Sequence, residues 1–327
     1  MTSGSFPVDL SSPVLLAPMA GITDLPFRSL VASFGVGLVV SEMVASQDML
    51  NARPGSREKA ELGLGQVGTA VQLAGREAAP MAEAARMVEG QGASIIDINM
   101  GCPAKKVTQG YSGSALMRTP DHALTLIEAV VRAVSIPVTL KTRLGWDSDL
   151  MNAPEIAKRA EEAGIRMVTI HGRTRCQFYK GTADWKAIAA VKNSVSIPVI
   201  ANGDIVGAET ARQALHRSGA DGVMIGRGAR GKPWLLAGVA HDLHGTPAPI
   251  VPEGDAFADM VAGHYEAMIS FYGSSLGLRV ARKQLGWYME TCGTPPELRK
   301  EVLTAGSVEQ TLGLIKLACN PFEKVAA

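Results

Sequence analysis

The stretch IIDINMGCPAKK, Ile95 to Lys106, runs β-branched and apolar residues into Asn99, a turn glycine, a cysteine and a proline. A free thiol has a pKa near ~8.5 and is mostly protonated at neutral pH, so Cys102 in such a turn can act as a general acid without tuning. As a nucleophile it needs a base, for which His171 is a candidate. A third reading is a small buried hydrophobe, which free cysteines often are. Residue types alone leave acid and nucleophile open. Lys141 in LKTR and His171 in IHGR end similar apolar runs, as does Gln72 in VQLAG. Two glycine turns, ANGD (Ala201–Asp204) and IGRG (Ile225–Gly228), can bring backbone N–H groups to an anion. Arg227 adds a forked cation beside them.

Eight short apolar runs must position these groups. They are Val14–Pro18, Gly37–Met43, Ala70–Gly75, Ile95–Gly101, Pro137–Arg143, Met167–Arg173, Pro198–Asp204 and Gly222–Gly228. Helical patterns separate them, including Ala78–Gly90, Asp121–Val134, Pro154–Ala163, Asp184–Val191 and Ala208–Arg217, several ending in glycine as a C-cap does. Runs covered on both faces and alternating with helices predict a (β/α)8 TIM barrel, with an open doubly wound sheet as the alternative. VSIPVTLKTR and VSIPVIANGD, from Val134 and Val195, echo one another as repeated units. In a barrel, function sits at the C-terminal ends of the strands. The turns after the seventh and eighth runs then form the fold's phosphate site, through Asn202, Gly203, Asp204, Gly226 and Arg227. A flavin suits the rest, with Lys141 facing charge on the reduced ring and Gln72 its pyrimidine edge. The plainer readings are a rim salt bridge for Lys141 and a structural role for His171.

The chain has 327 residues, 46% hydrophobic and 19% charged, enough for one large domain and a smaller one. HGTPAPIVPEGD (His244–Asp255) reads as a linker, and only helical patterns follow it: Phe257–Tyr272, Leu276–Glu290, Pro296–Leu303 and Val308–Leu317. The expected division is 1–243, the barrel, and 244–327, an all-α C-terminal domain. The net charge of +1 excludes a globally basic nucleic-acid binder and leaves only a local patch. Arg279, Arg282 and Lys283 fall on one helix face near Trp287 and Tyr288, which suits an RNA backbone and also an ordinary solvated face. Four scattered cysteines form no CxxC pair, so neither a zinc cluster nor a disulfide framework is expected. No signal peptide and no membrane-spanning run is read, and a cytoplasmic monomer is expected. Cys102–Arg118 reads as a long loop able to close as a lid.

These motifs together resemble the bacterial tRNA-dihydrouridine synthases, most closely the DusB subgroup. The resemblance rests on LAPMAGITDLPFR (Leu16–Arg28), VQLAG (Val71–Gly75), DINMGCPAKKVTQGYSGSALM (Asp97–Met117) and LKTRLGW (Leu140–Trp146). It continues through IHGRT (Ile170–Thr174), ANGDI (Ala201–Ile205), MIGRGARGKPW (Met224–Trp234) and ARKQLGWY (Ala281–Tyr288). It implies FMN over the barrel mouth, lined by Pro18, Met19 and Ala20. Gln72, Lys141 and His171 would contact it, and Asn202, Gly203, Asp204, Gly226 and Arg227 would hold its phosphate side. It implies NADPH or NADH as reductant, tRNA as partner, hydride addition to C6 of a flipped-out uridine, and Cys102 as proton donor to C5. Asn99, Arg143 and Arg173 would read the base or its phosphate. Lys105, Lys106, Arg279, Arg282 and Lys283 would meet the RNA.

Two alternatives remain open to the sequence. One is a flavin oxidoreductase acting on a free pyrimidine, of the dihydroorotate or dihydropyrimidine type. The other is an RNA-binding regulator that has lost catalysis.

Overall fold

A computed structural model describes residues 5–53, 59–62 and 69–320. Eight parallel strands close into a barrel: β1 (Val14–Leu16), β2 (Leu38–Val40), β4 (Thr69–Ala74), β5 (Ile95–Met100), β6 (Val138–Arg143), β7 (Val168–His171), β8 (Val199–Asn202) and β9 (Gly222–Ile225). β1 pairs with both β2 and β9, and β2 pairs with β4, which completes the ring. A two-residue strand, β3 (Val44–Ala45), continues the second run and pairs with β4 beyond β2. The second run is thus interrupted, because buried Ser41 and Glu42 leave the ladder at its centre.

The helices around the barrel include α1 (Leu25–Ser33), α2 (Ser46–Leu50), α3 (Ala78–Gly90), α4 (Lys105–Thr108) and α5 (Pro120–Ala133). They continue with α6 (Ala153–Glu162), α7 (Trp185–Lys192), α8 (Ala208–Ser218) and α9 (Leu235–His244). Gly219 takes the left-handed conformation that ends α8, as expected. At α3 that role belongs to Gly92, φ +95°, and not to Gly90.

Alternation along each strand separates two cores. Outward residues such as Ile96, Ile98 and Met100 join the helices in the larger core. Inward residues at the base, among them Leu15, Leu38, Ile95, Met167, Ile200 and Met224, fill the barrel. Toward the strand ends the inward positions turn polar. Cross-strand register puts Gln72 beside Asp97, Asp97 beside Thr139, Asn99 beside Lys141, Arg143 beside His171 and His171 beside Asn202.

The segment after Cys102 is not an open loop. It holds α4 and a 3-10 helix, Gly113–Arg118, with Ser114 and Met117 buried. The Ser114 backbone N–H and hydroxyl both donate to the Cys102 carbonyl, at 3.1 and 2.8 Å, which ties the segment down.

Beyond α9 come α10 (Gly254–Cys292), α11 (Pro296–Thr304) and α12 (Val308–Cys319). Gly273, at φ 74° and ψ 162°, breaks α10 into the two helices expected from the pattern. The halves fold together so closely that a Cβ on Gly277 would lie 3.0 Å from the Ile269 Cα. Phe257, Val261, Tyr265, Met268, Leu285 and Tyr288 form the centre of this helical core. It packs on the barrel through edge-on Phe257–Trp234 and Trp234–Phe34 ring contacts. The Tyr272 hydroxyl donates to Asp24 at 2.9 Å, and Gln284 Nε2 donates to the Ile22 carbonyl at 3.2 Å.

Candidate active site

The inward polar residues open into a cavity of about 620 Å³ at the C-terminal mouth of the barrel. That size lies in the range of small-molecule and cofactor sites. The loop after β1 contributes Pro18, Met19 and Ala20 to its wall. Glu42, buried after β2, holds this loop by accepting the backbone N–H groups of Gly21 and Ile22.

The floor carries Gln72, Asn99, Cys102, Lys141, Arg143 and His171. Lys141 Nζ donates to Asn202 Oδ1 at 3.0 Å. Burial brings its pKa down to about 8; nearby Asp97 opposes that shift and Arg143 adds to it. His171 lies well below its ordinary value, first because it is buried and then because four cations surround it. It is therefore neutral at pH 7. Its Nε2 is 3.3 Å from Arg173 Nη1, and since a guanidinium can only donate, Nε2 accepts and the ring proton sits on Nδ1. His171 thus has its lone pair engaged away from Cys102, which weakens the nucleophile-and-base reading.

The glycine turns follow β8 and β9, the first of them beside His171. Gly203 has φ +112°, and a Cβ there would come within 2.8 Å of His171 Cδ2 and 2.9 Å of the Ala183 Cβ. Only glycine fits that turn. Asp204 takes φ 54° and lines the cavity, but its carboxylate is turned to Arg173, which grips it at 3.0 and 2.6 Å. Burial alone would raise its pKa; the bonds from Arg173 and Ala183 outweigh that and hold it below the ordinary value. An anion near this turn would meet backbone, not the carboxylate. Gly226 and Arg227 complete the rim, and the half-exposed Arg227 side chain donates to Asp204 at 3.4 Å.

Several expected contacts need correction. Arg173 is 1% exposed and does not line the cavity. Beyond Asp204 it donates to the Lys180 and Gly181 carbonyls, so its donors are spent within the protein. It braces Asp204 and His171. Asn99 is similarly engaged, donating to Gln72 Oε1 at 2.7 Å and accepting the N–H groups of Gly101 and Cys102. Arg143 does line the cavity. Its Nε and Nη1 donate to the Gly101, Thr174 and Phe178 carbonyls, while Nη2 has no hydrogen-bond partner among the described residues.

Lys105 and Lys106 are exposed on α4, beside the Cys102 turn. Arg279, Arg282 and Lys283 are exposed on the second half of α10. None of these five forms an ion pair among the described residues. Lys283 reaches the mouth: its Nζ lies 3.5 Å from where a Gly21 Cβ would be. Tyr288, expected near this basic face, is buried instead and bonds His264 at 2.8 Å.

Sequence reasoning missed Tyr179 and Arg230, both in the cavity wall. The Tyr179 ring is 49% exposed and lies beneath the guanidinium groups of Arg143 and Arg227, at 5.6 and 5.1 Å. The adjacent Phe178–Tyr179 pair, shortly after the IHGRT motif, was the available signal. Arg230 stacks on Trp287 of α10 at 4.9 Å, which joins the helical region to the rim. Among the described residues no group of three acidic, His or Cys side chains could hold a metal, and no helix is long and apolar enough to cross a membrane.

The comparisons agree with this geometry. The family model described as Dihydrouridine synthase (Dus) matches residues 15–322. A probable tRNA-dihydrouridine synthase of Rhodobacter capsulatus is 64% identical over 315 residues, covering 96% of this chain and 97% of the relative. One from Rhizobium leguminosarum bv. phaseoli is 58% identical over 282 residues, 85% of each chain. A tRNA-dihydrouridine synthase B of Xanthomonas campestris pv. campestris is 47% identical over 311 residues, covering 95% of this chain and 93% of the relative.

Proposed function

This chain belongs to the dihydrouridine synthase family, and from that premise we propose an FMN-dependent tRNA-dihydrouridine synthase that reduces the 5,6-double bond of particular uridines with NAD(P)H. The observation that carries the reading is that Cys102 and the desolvated Lys141 open on one cavity that Arg143, Arg227 and Arg230 also line.

The residues present suit FMN. Lys141 is a cation without full solvation, so an electron-rich ring regains for it part of what burial removed. Gly203 keeps the turn after β8 free of a side chain, and Arg227 stands half exposed beside it to meet a phosphate. Pro18, Met19 and Ala20 would cover the ring, with Gln72 and His171 at its edges. A flavin held there would supply the hydride for C6 of the uracil.

The chain supplies the proton. Saturating the 5,6-bond needs one at C5, and Cys102 is the thiol in the cavity wall. The Asn99 side chain fixes its turn from below and Ser114 from beside, so the thiol is held at a set height. Arg143 Nη2 can hold a uracil carbonyl oxygen, where negative charge grows as C6 gains hydride. Tyr179 offers a face to the base.

A uridine must leave its stack to enter, which costs least in a loop. Lys105 and Lys106 beside Cys102, with Arg279, Arg282 and Lys283 across the mouth, would track the surrounding phosphates. In this reading residues 1–243 carry catalysis and 244–327 carry tRNA binding.

The test is nucleoside analysis by mass spectrometry after incubating the protein with NADPH and tRNA lacking dihydrouridine. A nucleoside two hydrogens heavier than uridine, absent without reductant, is expected. Activity on free uracil or orotate, with none on tRNA, would replace this reading by the free-pyrimidine one.

A further inference from the structure

We propose that Asp97, which lies outside the cavity wall, is a positioning residue for Cys102 and acts through the side-chain amides of Gln72 and Asn99. The inference rests on the functional reading above.

Asp97 projects into the barrel one layer below the cavity floor and is 3% exposed. Its Oδ1 accepts from the Thr139 hydroxyl and its Oδ2 from Gln72 Nε2, both at 2.6 Å. Gln72 Oε1 in turn accepts from Asn99 Nδ2 at 2.7 Å. Asn99 Oδ1 then accepts two backbone N–H groups, Gly101 at 3.2 Å and Cys102 at 3.0 Å. The chain of bonds runs unbroken from a buried carboxylate to the backbone of the proposed proton donor.

Its direction matters more than its length. Burial raises the Asp97 pKa while the bonds from Thr139 and Gln72 and the nearby Lys141 oppose it; as a carboxylate it has no proton to give, so Gln72 must turn its NH₂ toward it. That leaves the Gln72 oxygen facing Asn99, which must answer with its own NH₂. The Asn99 oxygen is thereby left for the Cys102 turn. A primary amide can flip at little cost where nothing tells its two ends apart. Here one carboxylate decides both flips. With the opposite polarity, Asn99 would present NH₂ to two N–H donors, and the half-buried turn would lose its acceptor.

Asp97→Asn has the same shape but removes the obligation, since an amide accepts as readily as it donates. The experiment compares wild type, Asp97→Asn, Asn99→Ser and the double variant, all loaded with FMN. Thr139→Val is the control, because it also deprives Asp97 of a bond yet lies off the chain. Steady-state kinetics on tRNA and the rate of Cys102 alkylation by iodoacetamide without tRNA are measured for each.

For Asp97→Asn the expected result is retained flavin, unchanged KM for tRNA, kcat lower by about tenfold, as for the loss of one hydrogen bond, and faster alkylation of Cys102. The double variant should match Asn99→Ser, since both cut one chain. Thr139→Val should melt earlier and alkylate like wild type. Wild-type kcat and alkylation in Asp97→Asn would overturn the proposal. So would multiplying effects in the double variant, acceleration by Thr139→Val, or an Asp97→Asn protein that cannot fold or keep flavin. If the wild type made no dihydrouridine, the functional reading would fail, while the alkylation rates would still decide whether Asp97 seats Cys102.

Discussion

Lys141 donates to Asn202 Oδ1 at 3.0 Å, spanning the barrel mouth from β6 to β8, and this is the only hydrogen bond of its ammonium among the described residues. One neutral acceptor does not replace hydration, so the folded state lowers the Lys141 pKa from 10.5 to about 8. The consequence for stability has a definite sign. Between about pH 8 and 10.5 the unfolded chain holds a proton at Lys141 that the folded apoprotein has released. Stability therefore rises with pH across that window. Urea unfolding of flavin-free wild type and Lys141→Met at several pH values checks it. The wild type should gain on the variant from about pH 8 upward and run parallel below. Parallel curves throughout would show that Lys141 titrates normally.

Cys102→Ala should retain flavin and lose about a hundredfold or more in product formation, the scale of a general acid. Cys102→Ser should lie close to the alanine variant, because a hydroxyl is a far weaker acid. His171→Asn separates the remaining alternatives. On the proposal that Arg173 keeps Nε2 engaged and Cys102 works without His171 as its base, this variant should leave Cys102 alkylation at its wild-type rate. A large fall in that rate would restore the pair.

Gly203→Ala should cost about 1 to 3 kcal/mol of stability from backbone conformation alone, at φ +112°. The added methyl would also press on the His171 ring and Ala183, so flavin affinity should fall with stability. Gly226→Ala is the contrast. A Cβ there meets the Ala17 Cβ and Met19 Sδ at an ordinary 3.5 Å, and no positive φ is required. Thermal melting and flavin titration of the pair check this, and equal losses in both variants would contradict it.

The barrel was legible in the sequence because each strand is apolar on both faces and ends in a polar or glycine turn. Cys102 and the ANGD and IGRG turns lie at or just past strand ends for that reason, while Gln72 and Lys141 lie within their strands and face inward. The hydrogen bonds of Arg173 were not legible, because sequence shows that a guanidinium is present but not that Asp204 and two carbonyls bind it. Those of Asn99, which does line the cavity, were hidden for a like reason: its partners come from the meeting of strands, which residue types do not carry. The segment after Cys102 read as a loop because its helical turns are too short for periodicity to reveal. Tyr288 and Arg279 are close in sequence, yet one points into the helical core and the other out. Only the packing of α10 on α12 separates them.

The basic face of α10 gives the last prediction. Arg279, Arg282 and Lys283 are exposed and form no ion pair among the described residues, and Lys283 abuts Gly21 at the cavity mouth. Charges that meet phosphates release counterions, so their loss should weaken tRNA binding most at low salt. Each phosphate contact removed should also flatten the dependence of log affinity on log salt by about 0.7 to 0.9. The triple alanine variant should therefore bind tRNA more weakly with a slope reduced by about 2 to 3. These side chains point to solvent, so melting temperature and flavin content should stay at wild-type values. Affinity measured by filter binding across a salt series checks it, and an unchanged slope would remove this face from the RNA path. A loss confined to Lys283→Ala would narrow the contact to the mouth itself, since that is the residue of the three whose ammonium reaches the loop after β1.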